Sequence, residues 1–231
     1  MTNTYHMKIA LPLLLAVLTC LACSHKNYVS YFDQQTANHR AVAVLPAEMI
    51  FTGKPPANLT GDNVREMEDV ESKNFQYALY NSILRYANSS NYYMRVNLQD
   101  IVMTQKILED NHLTFRELAM KDDRELTTLL KVDAVVRLHI QEKRLMSDGA
   151  SYGISVGRDI IQNTRISSKI PVPYIPNKTS DIYASCDVVS NNLTLWNDNY
   201  KSSAAWDRPS NIVIENITDN FGRHFPYKLR R

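Results

Sequence analysis

Three cysteines and six histidines are the groups of this 231-residue chain best suited to metal or thiol chemistry. Two of them, Cys20 and Cys23, stand C-x-x-C inside "LTCLACSHKN", a spacing that serves zinc sites and dithiol redox motifs. A structural zinc site takes four ligands. Cys186 is the only other cysteine and no histidine pair lies at finger spacing, so the set cannot be completed. A redox pair belongs at a strand-to-helix turn of a folded domain, whereas this one closes an uncharged run, residues 9–22. Beyond that run the histidines are His25, His39, His112, His139 and His224, one to a segment. The chain has no G-x-S-x-G nucleophile turn and no H-E-x-x-H helix, and Gly53-Lys54 lacks the further glycine and the Ser/Thr of a phosphate loop. The expectation is a chain with no catalytic residue set, no metal and no cofactor. An uncharacterised hydrolase assembled from distant residues is the competing enzyme reading.

The uncharged run is preceded by Lys8. A cationic start, a short apolar stretch and a small residue before the cut describe a secretory signal. The run is too short for a membrane span, which needs roughly 20 apolar residues. Met7 is a second candidate start. The closing tetrapeptide, Cys20-Leu21-Ala22-Cys23, resembles the lipobox of bacterial lipoproteins, with Ala22 at −1, Cys23 at +1, and Cys20 where leucine is usual at −3. That resemblance implies a signal peptide over 1–22 and an acylated Cys23 at the mature N-terminus, with the lipid bilayer as partner. Ser24 at +2 resembles the outer-membrane-sorted members, which implies an outer-membrane anchor facing the periplasm.

Without residues 1–22 the chain keeps 25 basic and 24 acidic residues. A net charge of +1 gives no argument for nucleic acid or an anionic surface. Residues 23–40 are polar and irregular, and are expected to form a lipidated N-terminus and flexible tether, roughly 50 Å if extended. Residues 41–231 are expected to form one domain.

The elements of that domain follow from periodicity. "AVAVLPA" reads as a buried strand stopped by Pro46, and residues 48–62 as a loop. A helix over 63–88 carries Phe75, Leu79, Ile83 and Tyr86 on one face. "NYYMRVN" is a strand, after which Asn97 is expected to cap a helix with the stripe Leu98, Ile101, Val102, Leu108. "TFRE" and "DDRE" are capping boxes that start helices at Thr114 and Asp123. In "VDAVVRLHIQEKRL" Ala134, Val136, Leu138 and Ile140 alternate with Val135, Arg137, His139 and Gln141, which puts His139 on the more polar face. Ala184, Cys186 and Val188 alternate inward, so Cys186 is expected to be a buried, unreactive thiol. Asn191-Asn192 fits a tight hairpin turn. The last helix is capped by Ser210, buries Val213, Ile214, Ile217 and Phe221, and is stopped by Gly222. The order β-α-β-α-α-β, then β-β-α, predicts an α/β fold, a mixed β-sheet packed with amphipathic helices.

Residues 147–180 interrupt this order. Gly149, Gly153 and Gly157 recur every four residues, and Pro171, Pro173 and Pro176 follow. Long irregular segments are usually functional or disordered. Ile166, Ile170, Val172, Tyr174 and Ile175 give this one the apolar character of a partner-binding loop. The competing reading is that they fold back over a sheet edge.

The leading strand ending in Leu-Pro, the entry "LLKVDAVVRLHI" and the late strand "LTLWNDNY" resemble a recurring pattern of bacterial envelope lipoproteins. That pattern has an "L-G-A-D-A-V" strand entry and an "L-x-L-W" hairpin strand. The group takes in the TolB amino-terminal domain, the lipoprotein activators of penicillin-binding proteins and the curli-secretion lipoprotein. The resemblance covers roughly residues 40–146 and, more loosely, 181–226. It implies a non-enzymatic domain that binds other envelope proteins or assembles as a homo-oligomer. The alternative within the group is an oligomeric secretion pore. The alternation at 151–157 is shorter than the roughly 9–11 residues of a spanning strand, and Arg158-Asp159 breaks it.

Overall fold

"AVAVLPA" enters the fold as strand β1 (Ala41–Val44), and its alternation continues past the proline as β2 (Glu48–Gly53). This is a computed structural model that describes residues 28–53, 61–87, 89–144, 178–205 and 210–231. Both strands run parallel to β5 (Ala134–Arg144). Val44 lies opposite Val136 and Glu48 opposite His139, so residues 45–47 face only Arg137 and Leu138. Pro46 therefore marks a bulge, where a missing N–H is tolerated, and not the end of the sheet. Residues 48–53 of the segment expected as a loop are a strand, in which Met49 and Phe51 still alternate inward against the core.

The bulge frees carbonyls, and the long helix α2 (Gly61–Ala87) satisfies them. Ser72 Oγ donates to Ala47 O at 2.6 Å and Gln76 Nε2 donates to Val44 O at 2.8 Å. On the same side of α2, Phe75, Leu79 and Ile83 are buried as their spacing predicts.

β5 continues into an antiparallel meander with β6 (Lys178–Ser190) and β7 (Leu193–Ala205). The sheet order is β4-β1-β5-β6-β7, where β4 is Asn97–Leu98. The mixed sheet with helices on it bears out the α/β class. Asn191 and Asn192 both adopt positive φ, 50° and 62°, the backbone of a two-residue hairpin turn.

Two helices, α2 and α6 (Ser210–His224), cover one face of the sheet. Trp196, Phe221, Leu138 and Cys186 are buried between these layers. Cys186 is fully enclosed, and burial pushes its thiol well up, as its inward alternation predicts. Among the described residues, helices cover the other face near β1 and the start of β5. There α3 (Ile101–Asp110), α4 (Phe115–Met120) and α5 (Asp123–Leu130) bury Leu108, Leu118, Leu126 and Leu130 against Ala43 and Val135.

The predicted caps of α4 and α5 form. Thr114 and Glu117 make the reciprocal box, and Asp122 accepts from Arg124 N–H at 2.8 Å. For α3 the expected start is corrected. Asn97 and Leu98 pair with Ala41 and Val42 as β4, so Asp100 is the cap and accepts from Val102 and Met103 N–H. The rotated helix buries Ile101, Thr104 and Leu108, and leaves Val102 64% exposed.

Lys131, which ends α5, sits in the left-handed region at φ 56°, ψ 47°. It occupies the position where the envelope pattern has glycine. An L-residue there is strained, and glycine is not. Lys131→Gly is expected to raise stability by about 0.5 kcal/mol and Lys131→Val to lower it by about 1 kcal/mol, as read by urea unfolding. Two residues on, Asp133 accepts N–H bonds from Arg40 and Ala41 at 2.6 and 2.9 Å, which pins the entry to β1 against β5.

Gly222 does not stop α6, which continues to His224. It is the point where α6 crosses α2. A Cβ on Gly222 would lie 2.9 and 3.0 Å from the backbone C and O of Ser82 and would strike its hydroxyl. Gly222→Ala is expected to cost about 2 kcal/mol by forcing the helices apart, again by urea unfolding. No loss of stability would mean that the two helices can separate freely.

The expected tether is also shorter than the sequence suggests. Tyr28 bridges to Trp196, and Val29 N–H donates to Leu195 O at 3.2 Å. A short helix α1 (Phe32–Gln35) then buries Phe32, whose ring lies 5.5 Å from that of Tyr227. Residues 28–40 thus belong to the domain. The chain closes with an unexpected strand, β8 (Lys228–Arg230), antiparallel to β3 (Tyr92–Met94). Among the described residues, no helix is long and apolar enough to cross a membrane.

Candidate interaction surface

Period-2 alternation puts Arg137, His139 and Gln141 on the sheet face that α2 and α6 leave open. Cross-strand register then decides their neighbours. Glu48 of β2 is directly opposite His139, and Asp187 of β6 is directly opposite both Arg137 and Asn197. His139 Nδ1 lies 2.6 Å from Glu48 Oε2, and its Nε2 lies 3.6 Å from Asp187 Oδ2. Asn197 Nδ2 donates to Asp187 Oδ1 at 2.6 Å, and Asn199 Nδ2 donates to Asn197 Oδ1 at 2.6 Å. The result is a polar ladder across four strands, flanked by exposed Ile50 and Tyr183.

Chemically the ladder is an imidazole held between two carboxylates. The carboxylates on either side fix the ring orientation. Among the described residues, the hydrogen-bond partner of His139 is the Glu48 carboxylate. Among the described residues no three His, Cys, Asp or Glu side chains are grouped to hold a metal ion. The surface is suited to hydrogen bonding with a partner.

Arg137 leaves this ladder and turns toward the helices. Its Nε pairs with Asp123 Oδ1 at 2.6 Å, while Nη1 and Nη2 donate to Leu118 O and Lys121 O, each at 3.0 Å. It satisfies the carbonyls that the end of α4 leaves open. A groove of about 440 Å³ lies between α2 and α3–α4, lined by Pro46, Lys73, Glu109, His112 and Phe115 among others. Lys73 and Glu109 are paired across it at 3.6 Å.

No known protein family and no curated protein matches the chain. Among solved structures it is similar to a PelC dodecamer from Paraburkholderia phytofirmans, at 9% identity over 80% of this chain and 88% of that one, with a TM-score of 0.40. It is also similar to lipoprotein GNA1162 from Neisseria meningitidis, at 11% identity over 78% and 94%, with a TM-score of 0.37. The LpoB C-terminal domain from Salmonella enterica matches at 7% identity over 74% and 91%, with a TM-score of 0.36.

Cys23 and the apolar loop residues Ile166, Ile170, Val172, Tyr174 and Ile175 lie outside the described residues. His139 is on the polar face as predicted, but its partners were not legible. Glu48 falls in a segment read as a loop, and Asp187 is 48 positions away along the chain. The usable signal was the alternation of "EMIFTG" itself, which the preceding proline masks.

Proposed function

We propose that the chain is a lipid-anchored, non-catalytic module of the bacterial envelope, held by acylated Cys23 and binding other envelope proteins. The observation that carries this reading is the pairing of an uncharged run that ends in Ala22, followed by Cys23, with a domain in which Tyr28, the first described residue, is already docked. Five residues span at most about 18 Å, so the acylated end would hold the domain close to the bilayer. The reading is supported by the chemistry of particular side chains: Asp100 and Asp122 cap helices, Asp123 pairs with Arg137, and His139 and His224 are tied to carboxylates.

Partner binding is assigned to the open sheet face and to the apolar segment with Ile166, Ile170, Val172, Tyr174 and Ile175. Mass spectrometry of the N-terminal peptide tests the anchor: an acyl mass on Cys23 is expected, and Cys23→Ala should leave the leader uncleaved. A wild-type peptide without acyl mass overturns the anchor. Deleting residues 168–178 tests the loop. Lost cross-links to envelope proteins with an unchanged melting temperature are expected, whereas a clear drop in melting temperature would mean the segment serves the fold.

A further inference from the structure

The near-neutral balance of the chain conceals an uneven spread of charge along α2. Its first half carries Asp62, Glu66, Glu68, Asp69 and Glu71 against Arg65 and Lys73, and Arg116 pairs with Glu68 and Asp69. Its last turn carries Arg85, which meets the C-terminal segment. Fourteen or more residues of helix separate Glu71 from Arg85, which is about 20 Å or more at 1.5 Å per residue.

At the basic end, five cations gather around two tyrosines. Arg85 and Arg223 lie over the Tyr86 ring at 5.4 and 5.3 Å, and Arg223 Nε donates to Tyr86 OH at 3.0 Å. Lys228 Nζ lies 4.8 Å from the Tyr92 ring and donates to Arg223 O. Arg230 is opposite Tyr92 in the β3–β8 ribbon, and Arg231 N–H donates to Asn91 O at 3.0 Å. Arg85 pairs with Asp219 and Glu215. Arg223, Lys228, Arg230 and Arg231 form no ion pair among the described residues. Tyr93 is in the same ribbon, opposite Leu229 on its other face, and is 43% exposed.

This corner is also where the N-terminal segment docks. Phe32 packs on Tyr227, the residue before Lys228, and Arg95 lies over both rings at 5.9 and 5.6 Å. Tyr28 and Tyr31 are exposed on that segment. The first described residues, the unpaired cations and the exposed tyrosines therefore share one end of the molecule.

We propose that the β3–β8 corner lies against the membrane and binds the phosphate groups of anionic lipid headgroups, through Arg223, Lys228, Arg230 and Arg231. This rests on the reading that Cys23 is acylated. The anchor then keeps the corner within the range over which surface potential acts, and each cation near an anionic surface adds to the attraction. Tyrosine suits the water–hydrocarbon boundary. Attraction of the corner orients the domain, and the first half of α2 and α4, with exposed Met120, are then turned outward.

The acylated full-length protein, added to preformed vesicles of phosphatidylcholine with or without phosphatidylglycerol, tests the proposal. Tyr93→Cys and Met120→Cys are each labelled with a membrane-impermeant thiol reagent, Cys186 being buried. Labelling of Tyr93→Cys should slow about tenfold on the anionic vesicles relative to the zwitterionic ones, the equivalent of about 1.4 kcal/mol, with Met120→Cys unchanged. High salt, or the triple change Lys228→Gln, Arg230→Gln, Arg231→Gln, should abolish the slowing. Equal rates on both vesicles, with protein still floating with them, overturn the membrane-facing corner and leave the anchor standing. Equal slowing of Tyr93→Cys and Met120→Cys overturns the orientation. Slowing by inorganic phosphate in detergent, without vesicles, assigns a free anion and overturns the lipid. Protein that neither floats nor carries acyl mass overturns the anchor, and the corner proposal with it.

Discussion

Replacing Arg137 by methionine is expected to lower stability by about 3 kcal/mol. The guanidinium is only 13% exposed and Asp123 only 20%, so removing it strands a part-buried carboxylate. It also removes the guanidinium's bond to Lys121 O and leaves Leu118 O with only the 3.3 Å bond from Lys121 N–H, and each unmade bond to a buried group costs about 1 kcal/mol or more. Arg137→Lys should recover only part of the loss, because an ammonium cannot reach three acceptors in the plane of a fork. The double change Arg137→Met, Asp123→Leu should be less damaging than Arg137→Met alone, since no charge is then left unpaired. Urea unfolding of the four proteins reads these differences. A loss below about 1 kcal/mol for Arg137→Met would mean that water replaces the guanidinium, and that α4 and α5 are not held to the sheet through it.

The second large effect is a gain. Burial, with the Glu142 carboxylate near it, pushes the Glu71 carboxyl up from 4.5 to about 7. Between those two values the folded chain holds a proton that the unfolded chain has lost, so stability falls as pH rises through that window. Above about pH 7 both states are ionised and the full cost, about 3 kcal/mol, is present; below about pH 4.5 it is absent. Glu71→Gln should therefore be more stable than wild type by up to about 3 kcal/mol at pH 8, and nearly equal to it at pH 4. Equal stability of the two proteins at pH 8 would show that Glu71 reaches water when ionised. If the gain is present, the wild-type α2 junction with β5 is weakest under mildly alkaline conditions.

Local chemistry accounts for much of what the sequence determined. The capping box at Thr114–Glu117, the cap at Asp122, the Asn191-Asn192 turn and the Ala184-Cys186-Val188 alternation each need only neighbours within a few residues, and each appears where expected. The α/β order follows from the same periodicities. The proposed acylation of Cys23 rests on the resemblance of residues 20–23 to a lipobox. Tertiary structure decided what depends on pairing between distant segments. Pro46 is a bulge because β5 continues past it and α2 supplies Ser72 and Gln76 to the freed carbonyls. Asn97 is a strand residue because β1 offers it an edge, a competition that a capping preference cannot reveal. Gly222 is small because α2 passes there, not because α6 ends. The basic corner was invisible in a net charge of +1: its cations come from residues 85 and 223–231, and only the crossing of α2 with α6 and the pairing of β3 with β8 bring them together.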